Sequence, residues 1–135
     1  SAPTKEPTNE PTASPIFTQE DPPDVPAIAS LKLIDWETGQ AIRTFSPGQS
    51  YTIDKSTQLL DIRAETNDAA AVVIFFRDNR RYRRDTSAPW TLARRRRPLD
   101  WTGGPYKLTV AAYDTTVLRQ ATKSEDFIIY LTIVG

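Results

Sequence analysis

The sequence predicts an all-β protein built as two packed sheets, and three observations carry that prediction. From about Ser30 onward apolar residues recur with period two, β-branched and aromatic residues are enriched, and turn residues punctuate the chain at short intervals. No segment has the 3.6-residue periodicity of a long amphipathic helix. Seven or eight short strands joined by tight turns close as a sandwich, each sheet burying one face against the other.

Leu31, Leu33 and Ile34 open the first strand, which ends at the turn Glu37-Thr38-Gly39-Gln40. Ala41 to Phe45 forms the second and stops at Ser46-Pro47-Gly48-Gln49, where proline presets one dihedral and glycine supplies another that other residues avoid. Tyr51 to Ile53 is a short third run. Leu60, Ile62 and Ala64 alternate with Asp61 and Arg63, the pattern of a strand with one dry and one wet face. Ala71 to Phe76 is apolar on both faces, so it belongs at the centre of a sheet or beneath another layer. Phe75 and Phe76 lead into a hairpin turn at Asp78-Asn79, and Tyr82 starts the return. Simple alternation then puts Arg81 and Arg83 on one face, Arg80 and Arg84 on the other.

Tyr106, Leu108, Val110 and Ala112 alternate with Lys107, Thr109, Ala111 and Tyr113. The last strand has Phe127, Ile129, Leu131 and Ile133 on its inner face and Ile128, Tyr130 and Val134 on the other. Two places are open to it. At an edge, its unpaired backbone groups would template association; between two partners, it would be an ordinary central strand.

Residues 1–29 read as a Pro/Thr-rich extended stalk ahead of the sandwich of residues 30–135. Pro3, Pro7, Pro11 and Pro15 each open a unit of four, with Thr4, Thr8 and Thr12 in step. Proline fixes φ and withholds a donor, which predicts a polyproline-like spacer of about 3.1 Å per residue. Threonine and serine beside proline is also the composition of O-glycosylated stalks, making Thr4, Thr8, Thr12 and Ser14 the candidate acceptors. The alternative is an unmodified linker. No Asn-x-Ser/Thr acceptor occurs, so any glycan is O-linked.

Several function classes drop out on composition. Without cysteine or histidine there is no disulfide, no thiolate nucleophile, no imidazole base and no usual zinc ligand. A catalytic role is therefore not expected, nor is a cofactor or a metal. Asp35, Glu37, Glu65, Asp68 and Asp114 sit in or near turns, but their spacing matches no calcium loop. The longest apolar run, residues 69–76, is strand length and far short of a membrane helix, so no membrane insertion is expected. The chain opens at Ser1 and contains no methionine, which predicts a processed chain or a segment of a larger one.

Charge is distributed unevenly. Arg77, Arg80, Arg81, Arg83, Arg84, Arg94, Arg95, Arg96 and Arg97 crowd into residues 77–97 beside only Asp78 and Asp85, a net +7 in a chain whose total is zero. The first 30 residues, with Lys5 against Glu6, Glu10, Glu20, Asp21 and Asp24, carry −4. A guanidinium fork suits carboxylate, sulfate and phosphate alike, so these nine arginines are the candidate anion or partner site. Trp90 and Trp101 flank the arginine loop and have two roles open, stacking platforms for a sugar ring or base, or core plugs between the sheets. Trp36, beside the turn at Gly39, is expected to be partly exposed and able to stack on a neighbour.

Six stretches, LKLIDWETGQAI, LLDIRAETN, VVIFF, RRDTSAPWTL, Asp100-Trp101 and GPYKLTVAAYD, together resemble an immunoglobulin-like module of large extracellular bacterial and algal surface and adhesion proteins. The Pro/Thr stalk is similar to those of secreted diatom-type algal proteins. The resemblance implies an immunoglobulin-like sandwich in an extracellular or cell-surface setting. This chain departs from the family pattern where four consecutive arginines, 94–97, replace a Gly/Asp/Asn loop. Such a run repels itself and calls for an external counter-charge or full hydration.

The expectation is a non-catalytic structural and adhesive module of a filament or matrix, whose arginine patch meets acidic protein subunits, including further copies of itself. The alternative is a carbohydrate-binding module for sulfated or uronic polysaccharide. Nucleic acid is the weaker partner, because the chain is neutral and carries no nucleic-acid motif.

Overall fold

The computed structural model describes residues 25–93 and 97–135. The stalk repeat, its candidate acceptors Thr4, Thr8, Thr12 and Ser14, and Arg94, Arg95 and Arg96 lie outside the described residues.

Nine strands follow in order among the described residues: β1 Ile28–Asp35, β2 Ala41–Phe45, β3 Ser50–Asp54, β4 Leu60–Thr66, β5 Val72–Arg77, β6 Arg80–Asp85, β7 Trp90–Thr91, β8 Gly103–Tyr113 and β9 Phe127–Val134. One sheet has the order β3-β9-β8-β5-β6 and the other β2-β1-β4-β7. The two-residue β7 is the element that the alternation does not announce.

Alternation dictates the core. Leu31, Leu33, Phe45, Leu60, Ile62 and Ala64 from one sheet meet Val73, Phe75, Leu108, Val110, Ile129 and Leu131 from the other, all buried in one cluster. Each fully buried aliphatic or aromatic side chain contributes about 1.5–3 kcal/mol relative to exposure. Trp90 of β7 and three residues of the connection from β7 to β8, Leu92, Leu99 and Trp101, add four more plugs.

The last strand takes the central place. β9 lies between β8, antiparallel, and β3, parallel, with Leu131 opposite Tyr106 on one side and Tyr51 on the other. Its backbone groups are paired on both sides, so it is no template for association. β5 is central too, between β8 and β6. Its outer-face residue Ile74 is as buried as the inner ones, as apolarity on both faces requires. The long connection from β8 to β9 folds back here, where Ser124 exchanges hydrogen bonds with the backbone of Ala112.

The sheet edges are therefore β2 and β3 on one side of the sandwich, β6 and β7 on the other. The second side carries Arg80, Arg81, Arg83 and Arg84 on β6.

Candidate functional site

The hairpin from β5 to β6 turns at Asp78 and Asn79, both with positive φ (51° and 69°). Two such residues in succession make the mirror-image turn that matches strand twist, and Asp and Asn are the side chains that tolerate it. The tip is moored to β8: the Lys107 N–H donates to Asp78 Oδ1 at 2.9 Å, and Lys107 Nζ donates to Asn79 Oδ1 at 3.2 Å.

A bulge changes which arginines share a face. Phe75 pairs with Arg83 but Phe76 pairs with Arg81, so Tyr82 is the extra residue on β6. Arg80 then stands opposite Arg77, and Arg83 opposite Phe75, on the inner side. Arg81, opposite Phe76, and Arg84, opposite Ile74, take the outer side. Strict alternation had grouped Arg81 with Arg83 and Arg80 with Arg84; the extra residue reverses those pairings.

Three of the arginines are consumed by the fold. The Arg77 guanidinium lies 5.4, 5.0 and 5.1 Å from the rings of Tyr82, Trp101 and Tyr106, which pack on one another at 5.1 and 5.2 Å. A cation over several ring faces in a half-dry setting is held electrostatically as well as by packing. Arg83 Nε donates to the Thr91 carbonyl at 2.7 Å, tying edge β6 to edge β7. Asp85 completes that lacing by accepting from the N–H groups of Thr91 and Ser87, with the Arg83 guanidinium 3.8 Å away. Arg84 donates to the Thr116 carbonyl at 2.8 Å.

Arg80, Arg81 and Arg97 are exposed and form no ion pair among the described residues. They line two clefts that share Tyr82. One, of about 400 Å³, is bounded by Arg77, Asp78, Arg80 and Arg81. The other, of about 240 Å³, is bounded by Ala93, Arg97, Pro98, Leu99 and Asp100. The hairpin and the described end of the loop, residues 97–100, thus adjoin through Tyr82.

Asp61 is the residue that sequence reasoning missed. It sits at a wet position in the alternation yet is only 7% exposed. The crossover explains this: the Leu92 N–H bonds to the Ile62 carbonyl and the Leu99 N–H to the Leu60 carbonyl, laying both feet of the arginine loop along β4. Asp61 Oδ1 accepts from Ala93 N–H at 2.8 Å and from Ile62 N–H at 2.7 Å. Burial pushes its carboxyl up to about 6, against the pull of those N–H groups and of the Arg83 and Arg63 charges.

Of the two roles open to the tryptophans, the structure places both in the core. Trp101 is 3% exposed, and Trp90 is 8% exposed with its indole N–H donating to Thr66 Oγ1 at 3.0 Å. Trp36 is half-exposed. No group of three or more acidic residues among the described residues is placed to hold a metal ion, and no described helix is long and apolar enough to cross a membrane.

No protein-family model matches the chain, and no curated protein matches it. Among solved structures it is similar to the fibronectin(III)-like modules of Clostridium thermocellum CbhA, with a TM-score of 0.50 and 16% identity over 88% of this chain. The fold is a fibronectin(III)-like β-sandwich. That is the two-sheet sandwich the alternation predicts, with the immunoglobulin-like architecture the resemblance implies. The match spans 50% of the other chain's length, and at this identity the likeness speaks for fold alone.

Proposed function

We propose that this domain is a non-catalytic structural and adhesive module of an extracellular assembly, presented on its Pro/Thr stalk and acting through the arginine-bearing edge of the sandwich. The observation that carries the reading is the exposure of Arg80, Arg81 and Arg97 around Tyr82, without ion pairs among the described residues. Charged side chains on an edge strand also prevent indiscriminate strand pairing, leaving charge complementarity to choose the partner. The partner surface is therefore acidic. An anionic polysaccharide is the second reading: the two flanking indoles are buried and offer it no stacking platform, so its sulfate or carboxylate groups would be met by the exposed arginines and Tyr82.

Sedimentation velocity on the full chain tests this. Association is expected to rise with concentration, fade with salt and disappear in Arg80→Glu/Arg81→Glu. A monomer at every concentration and ionic strength would contradict it, as would retention on sulfated but not neutral glycans without self-association.

A further inference from the structure

We propose that a cavity on the outer face of the five-stranded sheet, centred on Thr109, binds a carboxylate carried on a short apolar group. The site is separate from the arginine edge and does not rest on the reading above.

Thr109 stands in the middle of a row across three neighbouring strands, opposite Phe76 of β5 on one side and Ile128 of β9 on the other. Its neighbours Leu108 and Val110 belong to the core, so alternation turns Thr109 to the outer face. It is nevertheless buried there, at 8% exposure. The connection from β8 to β9 accounts for this: Lys123 bridges back to Tyr113, and Lys123 and Asp126 join Lys107 and Asn79 around the row, bounding a cavity of about 200 Å³.

Two buried polar side-chain atoms among the described residues have no hydrogen-bond partner, Trp101 Nε1 and Thr109 Oγ1. The indole belongs to the aromatic cluster against Arg77, whereas the threonine lines the cavity. A buried hydroxyl without a partner destabilises a fold, and valine has the same shape without that cost. Threonine at this position is accounted for by a partner that comes from outside the fold.

The remaining lining residues define that partner. Phe76 and Ile128 offer it an apolar wall. Lys107 Nζ donates to Asn79 Oδ1 at 3.2 Å, and Lys123 Nζ donates to Asp126 Oδ1 at 2.6 Å and to the Ser124 carbonyl at 3.3 Å. An ammonium has three donors, so both lysines are held in place with donors to spare. Two ammonium groups against the single carboxylate of Asp126 leave the cavity positive, and Arg81, opposite Phe76 on the same face, adds to the field. Charged donors and a hydroxyl beside an apolar wall suit a carboxylate on one ring or a short aliphatic stem.

The experiment titrates the full chain with benzoate and follows its amide NMR spectrum. Benzoate should shift the signals of Phe76, Thr109 and Ile128 saturably, and neutral benzamide and stemless acetate should each bind at least tenfold more weakly. Thr109→Val should weaken benzoate tenfold or more and at the same time raise the urea midpoint, Thr109→Ser should retain binding, and Lys107→Gln and Lys123→Gln should each weaken it several-fold. Acetylated, amidated glutamate carries the carboxylate as a protein side chain does; weaker binding than benzoate, the expected result, assigns the cavity to a free acid, and tighter binding assigns it to a side chain of a partner. Benzamide binding as well as benzoate would overturn the carboxylate, and acetate binding as well would overturn the apolar wall. No saturable shift at all, or a Thr109→Val variant that is less stable or binds like the native chain, would overturn the site.

Discussion

Arg77 and Arg81 stand in the same hairpin and do opposite things. Arg77 lies against Tyr82, Trp101 and Tyr106 and is part of the fold; Arg81, exposed on the outer side, carries its charge into solvent. The same division runs through the window, with Arg83 and Arg84 bonded to backbone carbonyls and Arg80 and Arg97 exposed. Among the described residues the block of like charge is thus two populations, one bonded or stacked within the sandwich and one exposed without an ion pair. Net charge per segment cannot separate them, because the separation is made by a bulge and by aromatic residues distant in sequence.

The largest expected effect probes how the arginine loop is held. Asp61 has a folded pKa near 6 against an ordinary 3.8, so the folded state binds the proton more tightly than the unfolded one. Its carboxyl therefore destabilises the fold progressively as pH rises from about 4 to 6, with no further change above. The span is on the order of 3 kcal/mol. Urea unfolding across that window should show the decline, and Asp61→Asn should flatten it. A slope that survives the substitution would mean that Asp61 is not its source.

Arg77→Ala should cost about 2 kcal/mol, from the lost cation–π and stem packing. Arg83→Ala should cost about 1–1.5 kcal/mol, because the Thr91 carbonyl and Asp85 lose a charged partner. Arg80→Glu/Arg81→Glu should leave stability within about 0.5 kcal/mol, as exposed charges do. If Arg81→Ala alone destabilised the fold as much as Arg77→Ala, the two populations would collapse into one.

Much of the fold was legible because period-two alternation is a direct record of burial. Leu60, Ile62 and Ala64 point inward as written, Gly39 and Gly48 take the positive φ their turns require, and two-sided apolarity put β5 at the centre. Legibility failed where no alternation exists. The run Arg80 to Arg84 has one apolar residue, Tyr82, and a lone aromatic gives no parity from which to read a bulge. Asp61 obeyed the alternation, pointing away from the core, yet was buried by a crossover whose path depends on Leu92 and Leu99 reaching β4. The stacking of Arg77 brings together Tyr82, Trp101 and Tyr106 from two strands and a loop, a neighbourhood that exists only after folding.

The division of the arginines is tested most directly by measuring stability and self-association on the same pair of variants, Arg77→Ala and Arg80→Glu/Arg81→Glu. Urea unfolding and sedimentation velocity of the full chain should respond in opposite ways. Arg77→Ala should lose stability and still assemble, and the double reversal should keep its stability and become monomeric. Variants in which the two properties fall together, or a double reversal that assembles like the native chain, would contradict the account.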